Sequence, residues 1–328
     1  MIHYQRKRLS EAQYVDGVLS KDRVILSKAI TLIESNNEAD IQLGEKVLNK
    51  VLPYTGKAKR IGITGVPGVG KSTFIEAFGT YLTGKNYRIA VLAIDPSSQR
   101  TGGSILGDKT RMDLLSNDPN AYIRPSPTSE SLGGVANKTR ETLLLCEAAG
   151  FDVMLIETVG VGQSETAVKN MVDFFLLLLL AGAGDELQGI KKGIMEMADA
   201  IVINKADGEN MRASKRARLE FENALHLFPP SGSGWYPKVS LCSSTEKSGL
   251  EKVLGMILDF YQTVGSTWLE NQRQDQNVSW MKDSIGYWLK QDFYKSKQVS
   301  SHFDKIQNSV KSGKITPLSA ARQLISLR

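Results

Sequence analysis

The sequence predicts an α/β fold in which a mostly parallel sheet is flanked by helices. Three observations carry that expectation. From residue 60 to about residue 261, short apolar runs alternate with amphipathic stretches, the pattern of repeated strand–helix units. One run, Phe174 to Ala183, is ten residues long, about half of a membrane span and suited to a fully buried strand. Polar, glycine-containing segments follow directly after several runs, at the carboxyl ends of the strands, where open α/β sheets hold their ligands.

Taken in order, residues 10–52 read as helical. Asp22 caps a helix whose apolar positions Leu26, Ile30 and Ile33 recur at helical spacing. A second helix carries Val47, Leu48 and Val51 and ends before Pro53. Tyr54 to Arg60 reads as a linker. Strands are expected at Arg60–Thr64, Arg88–Ile94, Asp152–Glu157, Phe174–Ala181, Ala200–Asn204 and Tyr236–Cys242. Amphipathic segments are expected at Lys71–Leu82, Leu187–Met197, Asn210–Leu227 and Leu250–Tyr261. Beyond about Gly265 the strand signal stops. Met281, Ile285, Trp288 and Leu289 follow an i, i+4, i+7, i+8 pattern, and Thr316-Pro317 opens a last helix carrying Ala321, Leu324 and Ile325. The expected organisation is an N-terminal helical extension over 1–55, an α/β core over 56–262 and a C-terminal helical arm over 263–328.

Hydrophobic residues make up 41% and charged residues 23% of the chain, the balance of an ordinary globular protein. The formal charge of +6 reads as a solvated basic face plus the local demand of a phosphate site. No aromatic-basic module accompanies it, so nucleic acid is not an expected partner. Cys146, Cys242, His3, His226 and His302 lie far apart, without C-x-x-C or H-x₃-H spacing, so a dedicated zinc or nickel centre is not expected. The basic stretch Met1 to Arg8 is not followed by an apolar signal core. A cytoplasmic location without a membrane span is the expectation.

Gly65-Val66-Pro67-Gly68-Val69-Gly70-Lys71-Ser72, followed by Thr73, fits G-x-x-x-x-G-K-[ST] in full. A strand precedes it and a helix opens at Ser72, the context that the motif requires. The glycines let the backbone curl so that its N–H groups point at phosphates, aided by the positive end of the helix. Lys71 would neutralise the β- and γ-phosphates, and the Ser72 hydroxyl would ligate Mg²⁺. This is the phosphate loop of a P-loop NTPase, and by itself it does not choose between ATP and GTP.

Asn204-Lys205-Ala206-Asp207 supplies that choice, directly after the strand Ala200–Ile203. A carboxylate accepts hydrogen bonds from the adjacent N1–H and exocyclic N2–H₂ donors that guanine has and adenine lacks. Asp207 would read the base, Asn204 would support the loop and base edge, and the Lys205 stem would lie across the ring. Adenine would leave the carboxylate desolvated and unpaired, at a cost of roughly 1–3 kcal/mol or more. Asn137-Lys138-Thr139-Arg140 begins the same way, but it lacks the aspartate and follows no strand. Ser243 and Ser244, after the strand ending near Cys242, would close over the base.

Asp95-Pro96-Ser97-Ser98 ends the strand Arg88–Ile94 and places a carboxylate toward Mg²⁺. Glu157-Thr158-Val159-Gly160 ends another strand. There Glu157 would act in the metal shell and the Gly160 N–H would meet the γ-phosphate. Glycines at 160 and 162 would permit motion on hydrolysis. A third segment, Gly182 to Gly193, is charged and glycine-punctuated and lies at the same edge.

Together these segments resemble the MeaB/ArgK family of P-loop GTPases, which includes the human methylmalonic aciduria type A protein. The resemblance runs from about Asp22 to Tyr261, more loosely through the arm. Its carrying stretches are Ile61 to Thr73, Ala93 to Ser98, Gly102 to Met112, Glu157-Thr158-Val159-Gly160-Val161-Gly162-Gln163-Ser164-Glu165, and Gly182 to Gly193. It implies a GTPase that chaperones adenosylcobalamin-dependent methylmalonyl-CoA mutase or a related acyl-CoA mutase, gating cofactor delivery and protecting or reactivating the mutase. It carries the magnesium and switch positions onto Ser72, Asp95, Asp108 and Glu157, and a third switch onto Gly184–Gly193, with Asp185 and Lys191 as signalling charges. It also implies a homodimer formed through the arm. One departure is Ser243-Ser244, where the second residue is usually alanine.

GTP and Mg²⁺ are thus the expected ligands, with Lys71 and the loop N–H groups stabilising charge on the transferring phosphoryl group. Gln163 is the candidate for orienting water. Slow intrinsic turnover, raised when a partner orders the switches, is the expected behaviour. Two other readings compete: a metallochaperone GTPase, which would show clustered histidine or cysteine, and an ATP-dependent kinase linked to amino-acid transport, which fits poorly with a guanine-reading aspartate.

Overall fold

The computed structural model describes residues 8–94, 112–125, 132–158, 164–182, 192–226 and 232–328. The N-terminal part forms helices α1 (Glu11–Leu19), α2 (Arg23–Glu34) and α3 (Glu38–Val51). Ser10, Asp22 and Asn37 cap them, each side chain accepting from a first-turn backbone N–H and satisfying an otherwise orphaned donor. The α/β part follows as β1 (Lys59–Gly65), α4 (Lys71–Thr83), β2 (Ile89–Ile94), the single turn α5 (Asp113–Ser116), β3 (Ala121–Arg124) and α6 (Leu132–Ala148). It continues through β4 (Val153–Thr158), α7 (Ser164–Lys169), β5 (Phe174–Leu180), α8 (Lys192–Met197), β6 (Ala200–Asn204), α9 (Met211–Leu225) and β7 (Lys238–Leu241).

Among the described residues, the seven strands pair in the order β3-β2-β4-β1-β5-β6-β7, every pairing parallel. Parallel neighbours need long crossovers, which the helices provide. Strand β1 lies in the middle, with Ile61 opposite Leu155 of β4 and Phe174 of β5. The carboxyl ends of β1, β4 and β6, where the motifs begin, therefore share one edge.

Successive side chains along a strand point to opposite faces, and the core divides accordingly. Ala90, Leu92 and Ile94 of β2, Met154 and Ile156 of β4 and Phe175 of β5 pack with Val18, Ile30, Val47 and Val135 from α1, α2, α3 and α6. The N-terminal helices thus help to build the core on that face. Val91, Leu155, Phe174 and Leu176 pack on the other face with Phe74 and Phe78 of α4 and with Phe260. A third group joins Leu177, Leu179, Ile201 and Ile203 to Ala217 and Phe221 of α9.

The expected strands are present, with ends shifted by a residue or two. Four elements of the α/β part are additional: the short helices α5 and α7, strand β3 and helix α6. Strand β3 is four residues long with only Ala121 and Tyr122 buried, too short to give a pattern. Helix α6 buries Asn137, Thr139, Arg140, Thr142 and Glu147 among its apolar residues, which erases the periodicity that would have announced it. The Asn137–Arg140 stretch, which only began like a base-reading motif, lies inside this helix. The first part of the expected Leu187–Met197 segment lies outside the described residues.

Helix α10 spans Leu250–Lys295, interrupted at Gly265, whose φ is 72°. The chain divides along this helix into two compact units, Met1–Gln276 and Asn277–Arg328. In the first unit, Arg273 grips the end of the sheet opposite the motifs. It donates to Asp173 Oδ1 at 2.7 Å and Oδ2 at 2.6 Å, and to Ala58 O at 2.7 Å. Asp173 also accepts from the Tyr261 hydroxyl and the Arg60 N–H, while the Arg60 guanidinium pairs with Glu147 at 2.8 and 2.9 Å. In the second unit α10 ends and is followed by α11 (Lys297–Lys311) and α12 (Pro317–Ile325), the latter capped by Thr316. Arg328 pairs there with Asp292.

Candidate functional site

The loop at residues 65–72 turns out of β1 and runs into α4. Gly65 and Gly70 are the positions where this path admits no side chain. A Cβ on Gly65 would come within 2.5 Å of Leu178 O, on the neighbouring strand. Gly70 has φ of 92°, and a Cβ there would lie 3.0 Å from Asn204 Nδ2. Residues with a Cβ rarely adopt that backbone conformation. Helix α4 starts immediately after Gly70 without a side-chain cap, so its first N–H groups and the positive end of its dipole face the loop, as anion-binding helices require.

Lys71 folds back over the loop. Its Nζ donates to Gly65 O at 2.7 Å and Val66 O at 3.3 Å. Burial lowers its pKa from the ordinary lysine value, while the nearby carboxylates of Glu157 and Glu165 oppose the shift. Ser72, the next residue, donates to Glu157 Oε1 at 3.2 Å. A hydroxyl of α4 and a carboxylate of β4 are therefore adjacent beside the loop, and hard oxygen donors of this kind suit Mg²⁺.

Strand β6 delivers the second motif to the same place. Asn204 is 1% exposed and its amide ties two loops together. Nδ2 donates to Val69 O at 2.9 Å, and Oδ1 accepts from the Ser244 hydroxyl at 2.8 Å and the Ser244 N–H at 3.2 Å. Lys205 takes a left-handed conformation, φ 57°, and its Nζ reaches Gly68 O at 3.0 Å. The Asp207 carboxylate accepts from the Ser243 hydroxyl, and Ser243 Oγ in turn receives the Glu246 N–H at 3.1 Å. The backbone of this third loop is pinned to the motif, since Ala206 N–H donates to Cys242 O at 3.0 Å.

The structure thus brings together Gly65, Val66, Gly68, Val69, Gly70, Lys71, Ser72, Glu157, Asn204, Lys205, Asp207, Ser243 and Ser244. Pro67 and Thr73 belong to the same loop and helix. Asp95, Asp108, Gly160, Gln163, Asp185 and Lys191 lie outside the described residues. Sequence reasoning gave no role to the side chains of Thr64, Thr158 and Glu165, which meet behind the loop. Thr64 lies in the Ile61–Thr73 stretch, and Thr158 and Glu165 in the Glu157–Glu165 stretch, so no single local motif joins all three. The Ser244 hydroxyl, at the position where the resembled family usually has alanine, makes a hydrogen bond that alanine could not.

Comparisons with known proteins give the family. A profile of the family described as "Methylmalonyl Co-A mutase-associated GTPase MeaB" matches residues 26–298. The chain is 45% identical to "GTPase ArgK" of Escherichia coli over 95% of each chain. It is 43% identical to the mouse protein "Methylmalonic aciduria type A homolog, mitochondrial", covering 96% of this chain and 80% of that one. Among solved structures, a "LAO/AO transport system kinase" superposes with a TM-score of 0.74 at 37% identity, covering 97% of both chains. The chain is a P-loop GTP hydrolase and belongs to the family of methylmalonyl-CoA mutase-associated GTPases, MeaB.

Proposed function

We propose that this GTPase serves as the chaperone of an adenosylcobalamin-dependent acyl-CoA mutase, methylmalonyl-CoA mutase first among the candidates. GTP binding and hydrolysis would gate cofactor delivery and protect or reactivate that enzyme. The family description supports the choice of partner. The observation that supports the choice of nucleotide is the Asn204 bridge, because it ties the phosphate loop at Val69 to the Ser243–Ser244 loop, whose Ser243 hydroxyl donates to the Asp207 carboxylate.

In this reading the N–H groups of residues 65–72 cradle the phosphates and Lys71 exchanges its two carbonyl partners for β- and γ-phosphate oxygens. Asp207 accepts from the guanine N1–H and N2–H₂ while the Ser243 hydroxyl holds the carboxylate in place, and the Lys205 stem covers the ring. Ser72 and Glu157 have the donor chemistry for Mg²⁺, with Asp95 and Asp108 as further ligands, and the metal would supply charge neutralisation on the phosphates. Gly160 senses the γ-phosphate, Gln163 orients the attacking water, and Asp185 and Lys191 signal to the partner. The protein works in the cytoplasm as a homodimer, through the arm that carries the exposed side chains Met281, Ile285, Trp288 and Leu289.

Two measurements test this reading. Asp207→Asn should move preference from GTP toward xanthosine triphosphate by about tenfold or more, since an amide donates where the carboxylate accepted; an unaltered preference in a binding titration would remove the base-reading role. Co-purification with B12-dependent mutases, with GTP turnover measured with and without each, should find one that binds and accelerates hydrolysis. If none does, the chaperone role falls while the GTPase stands.

A further inference from the structure

Behind the phosphate loop lies a buried polar chain that the roles above leave unused. Thr64, Thr158 and Glu165 are each 1% exposed. The Thr158 hydroxyl donates to Thr64 Oγ1 at 2.8 Å, and the Thr64 hydroxyl donates toward Glu165 Oε1 at 3.5 Å. A hydroxyl has one proton to give. Since Thr64 Oγ1 receives the Thr158 proton, its own points onward, and a carboxylate oxygen is an acceptor suited to receive it. The chain therefore runs from Thr158 through Thr64 to Glu165.

Its placement says more than its burial. Thr64 is the residue of β1 directly before Gly65, where the phosphate loop starts. Thr158 is the last residue of β4, and Glu165 is the second residue of α7. The end of β4 and the start of α7 are thus both referred to a single side chain at the root of the phosphate loop.

We infer that Glu165 is a positioning residue for GTP hydrolysis, registering the end of β4 and the start of α7 to the phosphate loop through Thr64 and Thr158. The inference rests on the proposed reading of residues 65–72 as the triphosphate site and of Gly160, which lies between β4 and α7 in sequence, as the γ-phosphate contact. It has a signature that plain packing lacks. GDP has no γ-phosphate and is held by residues 65–72 and the base loops, so a slack chain leaves GDP binding alone and slows the chemical step.

The test compares Glu165→Gln, Thr64→Val, Thr64→Ser and the Glu165→Gln/Thr64→Val double variant in the full-length protein, by GDP titration, steady-state GTP hydrolysis and thermal melting. Glu165→Gln and Thr64→Val should each lower kcat by about tenfold or more with KM and GDP affinity within about threefold of wild type. Thr64→Ser, which keeps the hydroxyl, should retain wild-type kcat. The double variant should fall no further than the worse single one, because groups that act as one unit are non-additive. Wild-type kcat in both single variants would overturn the inference. So would equal losses of GDP and GTP binding accompanied by a lowered Tm, which is the mark of a merely structural contact. If Glu165→Gln does not fold, Thr158→Val reads the same chain with the carboxylate intact, and full kcat there is equally fatal. Lys71→Ala separates the two levels: normal hydrolysis in that variant would sink the triphosphate site itself, whereas neutral Glu165 and Thr64 variants beside a dead Lys71→Ala sink this inference alone.

Discussion

Asn204 spends its side-chain amide on protein, Nδ2 on Val69 O and Oδ1 on Ser244, so the geometry of the base loop depends on what lies beside that amide. Gly70 lies there. Its φ of 92° and the 3.0 Å that would separate an added methyl carbon from Asn204 Nδ2 give Gly70→Ala two penalties, backbone strain of about 1–3 kcal/mol and a displaced amide. Guanine-nucleotide affinity should drop by about tenfold or more in a titration with GDP, while a value equal to wild type would show that the loop yields freely. Cys242 illustrates a second consequence of burial beneath the same loop. Burial pushes its thiol from 9.0 up to about 12, against a hydrogen bond with Ser244 that acts in the other direction. The sign of the linkage follows. Below pH 9.0 both folded and unfolded chains keep the proton and stability is untouched. As pH climbs from 9.0 toward 12, only the unfolded chain releases it, so the native state loses stability. Native protein at pH 8 should therefore show no accessible thiol, since Cys146 is buried too, and both should react after denaturation. One thiol reacting in the native state would contradict the packing of the base loop.

At the scale of elements, what a segment buries decided whether the sequence announced it. Strands β4, β5 and β6 bury Val, Ile, Leu, Met and Phe on both faces and read as unbroken apolar runs. Helix α6 did not, because it supplies Glu147 to Arg60 and buries Thr139 and Thr142, whose hydroxyls bond back to Val135 O and Lys138 O. Polar residues that are satisfied inside a fold look like surface residues to any periodicity argument. The same reasoning hides the Arg273–Asp173 pair, 100 residues apart, in which an arginine on an exposed-looking stretch of α10 holds a carboxylate with no exposed side-chain surface. Tyr261 is part of it: burial, and then the Asp173 charge, hold its phenol well above the ordinary range, so it stays a donor to that carboxylate. Removing one partner strands a buried charge. Arg273→Ala should cost about 3–5 kcal/mol, read by urea unfolding with an unchanged m-value. A loss below about 1 kcal/mol would mean that water reaches Asp173 and that the pair is an ordinary surface bridge.

For the molecule as a whole, the chemistry was more legible than the assembly. The phosphate loop and the Asn204–Asp207 motif stood out because each is a run of contiguous residues, whereas Thr64 on β1 meets Thr158 and Glu165 only in three dimensions. The C-terminal helices gave an intermediate signal. Met281, Ile285, Trp288 and Leu289 showed helical spacing, which ordinarily marks a face turned into a core. Yet they are 56%, 51%, 43% and 51% exposed in the single chain, and with Ser284 and Asp292 they line a groove of about 410 Å³. A contiguous apolar stripe of this kind is costly to leave in water. The proposed second copy of the chain would meet the requirement with the same patch on both sides, the isologous arrangement of a two-fold dimer. Ile285→Glu places a carboxylate in the middle of the stripe, and across a two-fold axis it would face its own copy. Sedimentation equilibrium should then find a dimer for wild type and a monomer for the variant, with basal GTP hydrolysis retained within about twofold because the substitution lies in a different compact unit from the nucleotide loops. A variant that remains dimeric would remove the stripe from the interface, and a monomeric wild type would remove the homodimer.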